Sequence, residues 1–200
     1  MGKNSELGIR RISALYDDRT IRVYQAYNNQ ISDEALKLGT FGPSFKTERM
    51  TWIKPSFLWM MYRSNWGTKV NQERILAIDI LRDGFDEILE NATLSKFESD
   101  IYFSHEQWRK KLCESEARCQ WDPEKDIYGN DINKKAIQLG IKGTLVEKYI
   151  QRWIYRITDI TSEIHSWKEM VDTGEFSCNL LPHEKDYPVC EKIKKELMVE

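Results

Sequence analysis

The chain has 200 residues, of which 40% are hydrophobic and 31% are charged, and it contains seven tryptophans. This composition excludes a disordered or collagen-like chain, and the length favours one domain with one core. The formal net charge of −2 argues against a protein whose whole surface binds nucleic acid.

The N-terminal segment and the cysteines predict the compartment. The opening segment has no apolar stretch of the signal-peptide kind, and nothing in the sequence approaches the roughly 20 apolar residues that cross a membrane. The four cysteines form no CxxC pair, so we expect reduced thiols. The sequence therefore predicts a cytoplasmic protein with no membrane partner.

The first predicted elements are a strand and a short helix. The segment Ile21–Asn28 is rich in β-branched and aromatic residues, which favours a strand. A helix follows, with Ser32 as its expected N-cap and Gly39 as its end.

Three further elements are predicted in the middle of the chain. Pro55 suits a first helical turn, which places a helix over about 55–63. The nearly continuous apolar run Arg74–Leu81 predicts an interior strand with Asp79 as its one acidic residue. Asp83 is then expected to cap a helix that ends near Asn91.

The second half repeats the mixture of helices and strands. We expect a helix over 104–114, a strand over 116–122 and then an acidic turn. Apolar residues at helical spacing predict an amphipathic helix over 144–157, and a further helix is expected over 162–173.

These elements predict the fold class and the domain division. Strands mixed with helices, without a regular βαβ rhythm, indicate an α+β domain: a single compact domain with a mixed or mainly antiparallel sheet and flanking helices. We assign residues 1–19 to a polar leader, residues 20–190 to the domain and residues 191–200 to a charged tail.

The common catalytic and metal-binding motifs are absent from the sequence. It contains no GxGxxG, GxxxxGK[ST], GxSxG or HExxH motif. The loop that begins at Asp122 lacks the glycine and the bidentate glutamate of a calcium loop. Cys178, His183 and Cys190 match no common zinc spacing, so we expect no metal.

A candidate ligand site lies in the tryptophan-rich segment "MTWIKPSFLWMMYRSNWGTK". Ser56 and Arg63 are seven residues apart, which puts them within about 20° of each other on a helix, and Trp59 flanks them. Polar groups among large apolar ones are typical of ligand pockets. A buried arginine needs a partner, and two remain open here: Asp79 in a structural ion pair, or an anionic ligand.

The first strand raises a similar choice for Arg22 and Tyr24, which share one of its faces. In a central strand they would meet a cavity or a polar network, whereas an edge strand would leave Arg22 in solvent. The stretch Pro43–Arg82 carries seven basic and three acidic residues, a net charge of +4, which suits an anionic ligand or a solvated mixed surface.

Several long segments carry a resemblance to a known family. They include "IRVYQAYN", "FKTERMTWIKPSFLWMMYRSNWGTK", "QERILAIDIL", "CQWDPEKD" and "AIQLGIKG". On these segments, over about residues 20–190, the chain resembles an uncharacterised family catalogued as a domain of unknown function. That resemblance implies no activity.

The order of elements is also similar to that of the ADP-ribosyltransferase superfamily. This likeness implies that Arg22 and Ser56 hold the pyrophosphate and ribose of NAD, and that aromatics such as Trp59 pack the nicotinamide. It also implies a later carboxylate that stabilises the transition state, for which Glu147 and Glu163 are the candidates.

Two function classes follow from these residues. In the first, the protein binds a nucleotide or NAD, with or without catalysis, through Arg22, Tyr24, Ser56, Trp59 and Arg63. In the second, it is a non-catalytic module that binds single-stranded nucleic acid through basic residues and tryptophans, or that binds another protein.

Overall fold

The computed structural model describes residues 8–200, which contain ten strands and seven helices. The strands are β1 (Ile9–Arg10), β2 (Ser13–Ala14), β3 (Thr20–Tyr27), β4 (Thr51–Ile53), β5 (Arg74–Leu81), β6 (Ala92–Leu94), β7 (Ala117–Lys125), β8 (Asp131–Ile141), β9 (Ile154–Asp159) and β10 (Lys185–Asp186). The helices are α1 (Asn29–Leu38), α2 (Phe57–Ser64), α3 (Arg82–Glu90), α4 (His105–Glu114), α5 (Thr144–Lys148), α6 (Thr161–Thr173) and α7 (Glu191–Leu197).

The strands form a large sheet and a small sheet, with β2 and β10 as a separate antiparallel pair. The large sheet has the order β1-β8-β7-β6, and β4 pairs with the end of β8 beyond β1. The β7–β8 and β4–β8 pairs are antiparallel, whereas β1–β8 and β6–β7 are parallel. The small sheet is antiparallel, in the order β3-β5-β9. The two sheets approach each other where Tyr24 of β3 forms a bridge with Lys54, just after β4.

The apolar sequence of β5 explains its central place in the small sheet. Six of its residues, from Ile75 to Ile80, are buried, and both faces of the strand are covered. One face, with Leu76, Ile78 and Ile80, joins the main core between the sheets. The other face, with Ile75 and Ala77, packs in a second apolar cluster with α2 and α6. The α+β class, with mixed and antiparallel sheets and flanking helices, is confirmed.

The first helix begins three residues earlier than its expected cap. The side chain of Asn28 accepts a hydrogen bond from the N–H of Ile31, which makes Asn28 the N-cap. Ser32 lies buried inside the helix, so its prediction as the cap is wrong. Gly39 ends the helix at a φ of 72°, as expected for a left-handed C-cap.

The amphipathic helix predicted over 144–157 is shorter than expected. After α5 the chain makes one π-helical turn, Tyr149–Trp153, and Ile154 then starts strand β9. The ring of Trp153 packs so closely on Gly84 of α3 that a Cβ there would lie 2.4 Å from it. The spacing of apolar residues could not show where the helix ends and the strand begins. Strand β9 is defined by its backbone hydrogen bonds to β5, which that spacing does not reveal.

The end of α2 is a tight left-handed turn. Asn65, Trp66 and Gly67 have φ values of 50°, 54° and 75°. Such angles are unusual for a bulky residue such as Trp66, whose side chain is held in the core beside α2. Arg63 and Ser64 are the last two residues of α2 before this turn.

Segments near both ends of the described residues contribute side chains to the core. In the segment assigned to the leader, Ile12 and Ala14 are fully buried. In the segment assigned to the tail, Ile193 and Leu197 of α7 are buried in the same cluster. All four cysteines are free thiols. Among residues 8–200, no helix has the length and apolar character needed to cross a membrane.

Asp79 links all three strands of the small sheet. Arg22 on β3 donates two hydrogen bonds to its carboxylate, at 2.8 and 3.1 Å, and Arg156 on β9 donates two more, at 3.0 and 2.8 Å. Burial alone would raise the pKa of Asp79, but the two arginines outweigh it and lower that pKa below its usual value. The carboxylate therefore stays ionised in the folded protein.

We expect the substitution Asp79→Asn to destabilise the protein by about 2–4 kcal/mol, because it leaves two guanidinium groups without their counter-charge. The measurement is urea unfolding at pH 7. Because a lowered folded pKa stabilises above the unfolded pKa, the difference from the wild type should shrink as the pH falls toward 3.

The matched control is Arg156→Gln. The side chain of Arg156 is 62% exposed, so its loss should cost less than about 1 kcal/mol. Equal destabilisation by the two substitutions would contradict the central role of Asp79.

Candidate functional site

The large sheet has one apolar face and one polar face. Strand register places Ile53, Cys119 and Leu139 side by side on the core face, where all three are buried. Alternate residues of the same strands point the other way. The side chains on this polar face are Trp52, Arg118, Gln120, Asp122 and Gln138, all of them half-buried.

Two amide side chains fix the carboxylate of Asp122 on this face. Gln120 donates a hydrogen bond to Oδ1 at 2.8 Å, and Gln138 donates one to Oδ2 at 2.6 Å. The carboxylate is thus held in one orientation, and no cation among residues 8–200 forms an ion pair with it. On the neighbouring strand, Gly140 leaves the space that the Trp52 ring occupies, since a Cβ there would lie 3.0 Å from that ring.

Helix α2 is attached to the sheets at its first residue. Ser56 has an extended backbone and precedes the helix, and its hydroxyl donates to Glu124 Oε1 of β7 at 2.5 Å. The N–H of Phe57 donates to Glu184 Oε1 at 2.6 Å. A side-chain oxygen that accepts from a helix N-terminus satisfies an N–H group that has no partner within the helix.

The surroundings of Glu184 favour the protonated form of its carboxyl group. Burial raises its pKa to about 8, an effect that the nearby Glu124 adds to and that the Phe57 N–H opposes. The buried hydroxyl of Tyr24 lies in the same region and has no hydrogen-bond partner among residues 8–200. Burial, followed by the charge of Glu184, raises the pKa of Tyr24 well above its ordinary range.

Lys54 is a buried cation beside the polar face. Its side chain donates to the carbonyl of Trp52 at 3.0 Å, and its Nζ lies 5.5 Å from the centre of the Trp59 ring. Burial, and then the charge of Arg63, lowers the pKa of Lys54 to about 7, while the charge of Asp122 opposes this shift.

Two clefts open on either side of Arg63. The first cleft has a volume of about 310 Å³ and the second about 230 Å³. The first is lined by residues of β3, β4, α2 and the loop after α2, among them Gln25, Trp52, Lys54, Met60, Arg63 and Gln72. The second is lined by Trp59, Tyr62, Arg63, Lys69, Pro123 and Lys125.

Of the predicted site residues, the structure brings Arg63 and Trp59 to these clefts. Arg63 is exposed and lines both, and Trp59 lines the second. Of the two partners left open for Arg63, the structure rules out Asp79, because Arg22 and Arg156 occupy that carboxylate. Pairing across strands depends on register, which the sequence alone does not specify.

The other predicted cofactor-binding residues lie apart from the clefts. Arg22 is on an edge strand, but its side chain forms an ion pair with Asp79 and does not extend into solvent as expected for an edge strand. Tyr24 and Ser56 are buried. Ser56 precedes the helix, so the helical angle that was expected to align it with Arg63 does not apply to it.

The two candidate catalytic glutamates are exposed and line neither cleft. Glu147 is on α5 and Glu163 is on α6. Among residues 8–200, no three histidine, cysteine or acidic side chains lie together in a way that could hold a metal ion.

Sequence reasoning missed four residues of the site: Lys54, Asp122, Glu124 and Glu184. A signal for Lys54 was present, because it lies between Ile53 and Pro55 in a segment that is otherwise buried. The alternation of polar residues in "QWDPE" also indicated a strand with one polar face. Nothing near Glu184 in the sequence marks it.

We expect the substitution Glu184→Gln to change how stability depends on pH. A folded pKa above the unfolded one stabilises the folded state at low pH, and this contribution is lost as the pH rises from about 4.5 to 8. Because glutamine cannot ionise, the variant should gain roughly 2–5 kcal/mol relative to the wild type over that range. The measurement is urea unfolding at several pH values.

Exposed Glu169 on α6 provides the control. The variant Glu169→Gln should follow the wild-type pH profile. A Glu184→Gln variant whose stability stays parallel to the wild type from pH 5 to 8 would show that Glu184 is already ionised.

A search of curated proteins finds no match for the chain. Residues 11–187 match the family described as "Domain of unknown function (DUF4291)". This match confirms the predicted resemblance to an uncharacterised domain family and does not support the likeness to ADP-ribosyltransferases. Because the match covers most of its length, the chain belongs to the domain-of-unknown-function family DUF4291.

Proposed function

We propose that the protein binds an anionic nucleotide, with NAD as the specific candidate, in the two clefts that share Arg63. The supporting observation is the free guanidinium of Arg63, which makes no hydrogen bond or ion pair with any residue of 8–200. It lines both clefts. A guanidinium fork of this kind holds a phosphate by two charge-assisted hydrogen bonds.

The charges around Arg63 favour an anion. Lys54 lines the first cleft, and Lys69 and Lys125 line the second. Within the described part of the chain, neither cleft has an aspartate or glutamate in its lining. The potential in both clefts is therefore positive, which attracts a phosphorylated ligand.

The aromatic residues favour a ligand that carries a base. Trp52 in the first cleft and Trp59 in the second are half-buried, so part of each ring is open to a ligand. Indole rings stack on nucleobases or on nicotinamide. A dinucleotide has two bases joined by an anionic pyrophosphate, which matches two aromatic clefts joined by one arginine.

ADP-ribosyl transfer is the finer form of this proposal. It requires a carboxylate that stabilises positive charge on the ribose in the transition state. Among residues 8–200 no carboxylate lines either cleft, those of Glu147 and Glu163 included, so the geometry supports nucleotide binding and supplies no residue for the transfer step.

Single-stranded nucleic acid is the second candidate ligand. It is favoured by the same cationic clefts and by the partial exposure of Trp52 and Trp59, whereas Trp66 is buried in the core. This ligand would contact several cations at once, so its binding should weaken steeply with salt.

The test is a titration of the protein with NAD and with ADP, followed by tryptophan fluorescence and calorimetry. We expect saturable binding, and we expect Arg63→Gln to weaken it by roughly 10- to 100-fold, because hydrogen bonds to charged groups contribute about 1.5–3 kcal/mol. Exposed Arg109 on α4 is the matched control, and Arg109→Gln should bind as the wild type does.

Two outcomes would contradict the proposal. The first is the absence of any fluorescence or heat change at millimolar NAD and ADP. The second is equal binding by the wild type and by Arg63→Gln. An oligothymidine that binds in low salt and depends on Arg63, in the absence of nucleotide binding, would instead support the nucleic-acid candidate.

A further inference from the structure

Lys54 has an unusual environment for a lysine. It is 8% exposed, yet it forms part of the wall of the first cleft. The carbonyl of Trp52 is its one hydrogen-bond acceptor among residues 8–200, and no carboxylate there forms an ion pair with it. Buried lysines are usually paired with an acidic side chain, so a buried lysine without such a partner is unusual.

The charged groups that act on Lys54 come from two elements. Arg63 on α2 repels the ammonium form, and Asp122 on β7 attracts it. Burial and Arg63 prevail and lower the pKa of Lys54 to about 7. A far larger share of the amine is therefore neutral at pH 7 than in an ordinary lysine, which is neutral in less than about a thousandth of molecules. A lysine that is desolvated next to a second cation is an activated nucleophile.

We infer that Lys54 is a nucleophile that forms an imine with a carbonyl group of an anionic ligand held by Arg63. This inference rests on the proposed function for its anion site and adds to it the reacting group of the ligand. The wall supplies both partners: Lys54 offers the amine, and the unpaired guanidinium of Arg63 offers the contact for a carboxylate or phosphate.

The reaction conserves atoms and electrons. The lone pair of the neutral amine attacks the carbonyl carbon, the N–C bond forms, and the π electrons of the carbonyl move to its oxygen. The nitrogen loses its two protons to that oxygen, which leaves as water, and a C=N bond remains. Nothing is oxidised or reduced. A cleft of about 310 Å³ has room for a small keto acid or sugar phosphate.

The experiment traps the imine in the full-length protein. The protein is incubated at pH 7 with pyruvate, which has a carboxylate, or with ribose 5-phosphate, which has a phosphate. Sodium cyanoborohydride reduces any imine to a stable amine, and peptide mapping by mass spectrometry locates the adduct. We expect labelling of Lys54 to exceed the mean of the other lysines at least about tenfold with one of the two probes. The probe that labels Lys54 more strongly shows whether the site prefers a carboxylate or a phosphate.

Two variants and a pH series complete the test. The substitution Lys54→Met should abolish the selective label, whereas Lys37→Met, at an exposed position on α1, should leave it unchanged. The peptide map of the labelled wild-type protein tests the inference even if Lys54→Met does not fold. Labelling of Lys54 should rise to half its maximum near pH 7, and that of the other lysines at higher pH.

Labelling of Lys54 at or below the mean of the exposed lysines, with both probes, would overturn the inference. Propanal, a neutral aldehyde, is used as a third probe. It distinguishes failure of Lys54 as a nucleophile from failure of the proposed anion site. Selective labelling by propanal alone, unaffected by Arg63→Gln, would retain the nucleophile and contradict the anion site. Arg63-dependent binding of ADP without any label on Lys54 would retain the anion site and overturn the nucleophile.

Discussion

The attachment of α2 to the side chains of two glutamates is the constraint on which the geometry of the site depends. Glu124 holds the hydroxyl of Ser56, and Glu184 holds the N–H of Phe57, so the first turn cannot move away from either partner without exposing buried polar groups. Trp59 and Arg63 follow on the same short helix, and their positions are therefore fixed at its start. The left-handed turn after Ser64 fixes the other end.

A second consequence of this arrangement is electrostatic. The acidic side chains near α2 are engaged within the protein: Glu124 and Glu184 at the helix start, and Asp122 with two amides. Among residues 8–200 the guanidinium of Arg63 has no partner, and the ammonium of Lys54 has only the carbonyl of Trp52. The separation of the charges leaves a local surplus of positive charge in a protein with a slight negative net charge.

The sequence was sufficient for elements that local chemistry specifies and insufficient for contacts that depend on register. Apolar and β-branched runs predicted β3 and β5, and Gly39 predicted the end of α1. Strand β8 was missed because its first residues are polar and exposed. Of the site, Arg63 and Trp59 could be selected by residue type, but Glu184 reaches the helix from 127 residues away in the chain. Such a contact has no local signature.

Under the proposed function one guanidinium serves both clefts, so their occupancies are not independent. A small anion in the first cleft would engage donors of Arg63 that a second anion would then lack, so two separate small anions would bind with negative coupling. A single elongated ligand with its charge at the centre meets no such conflict, since one phosphate group can use the whole fork. The sharing of Arg63 would thus select for the length of a ligand as well as for its charge.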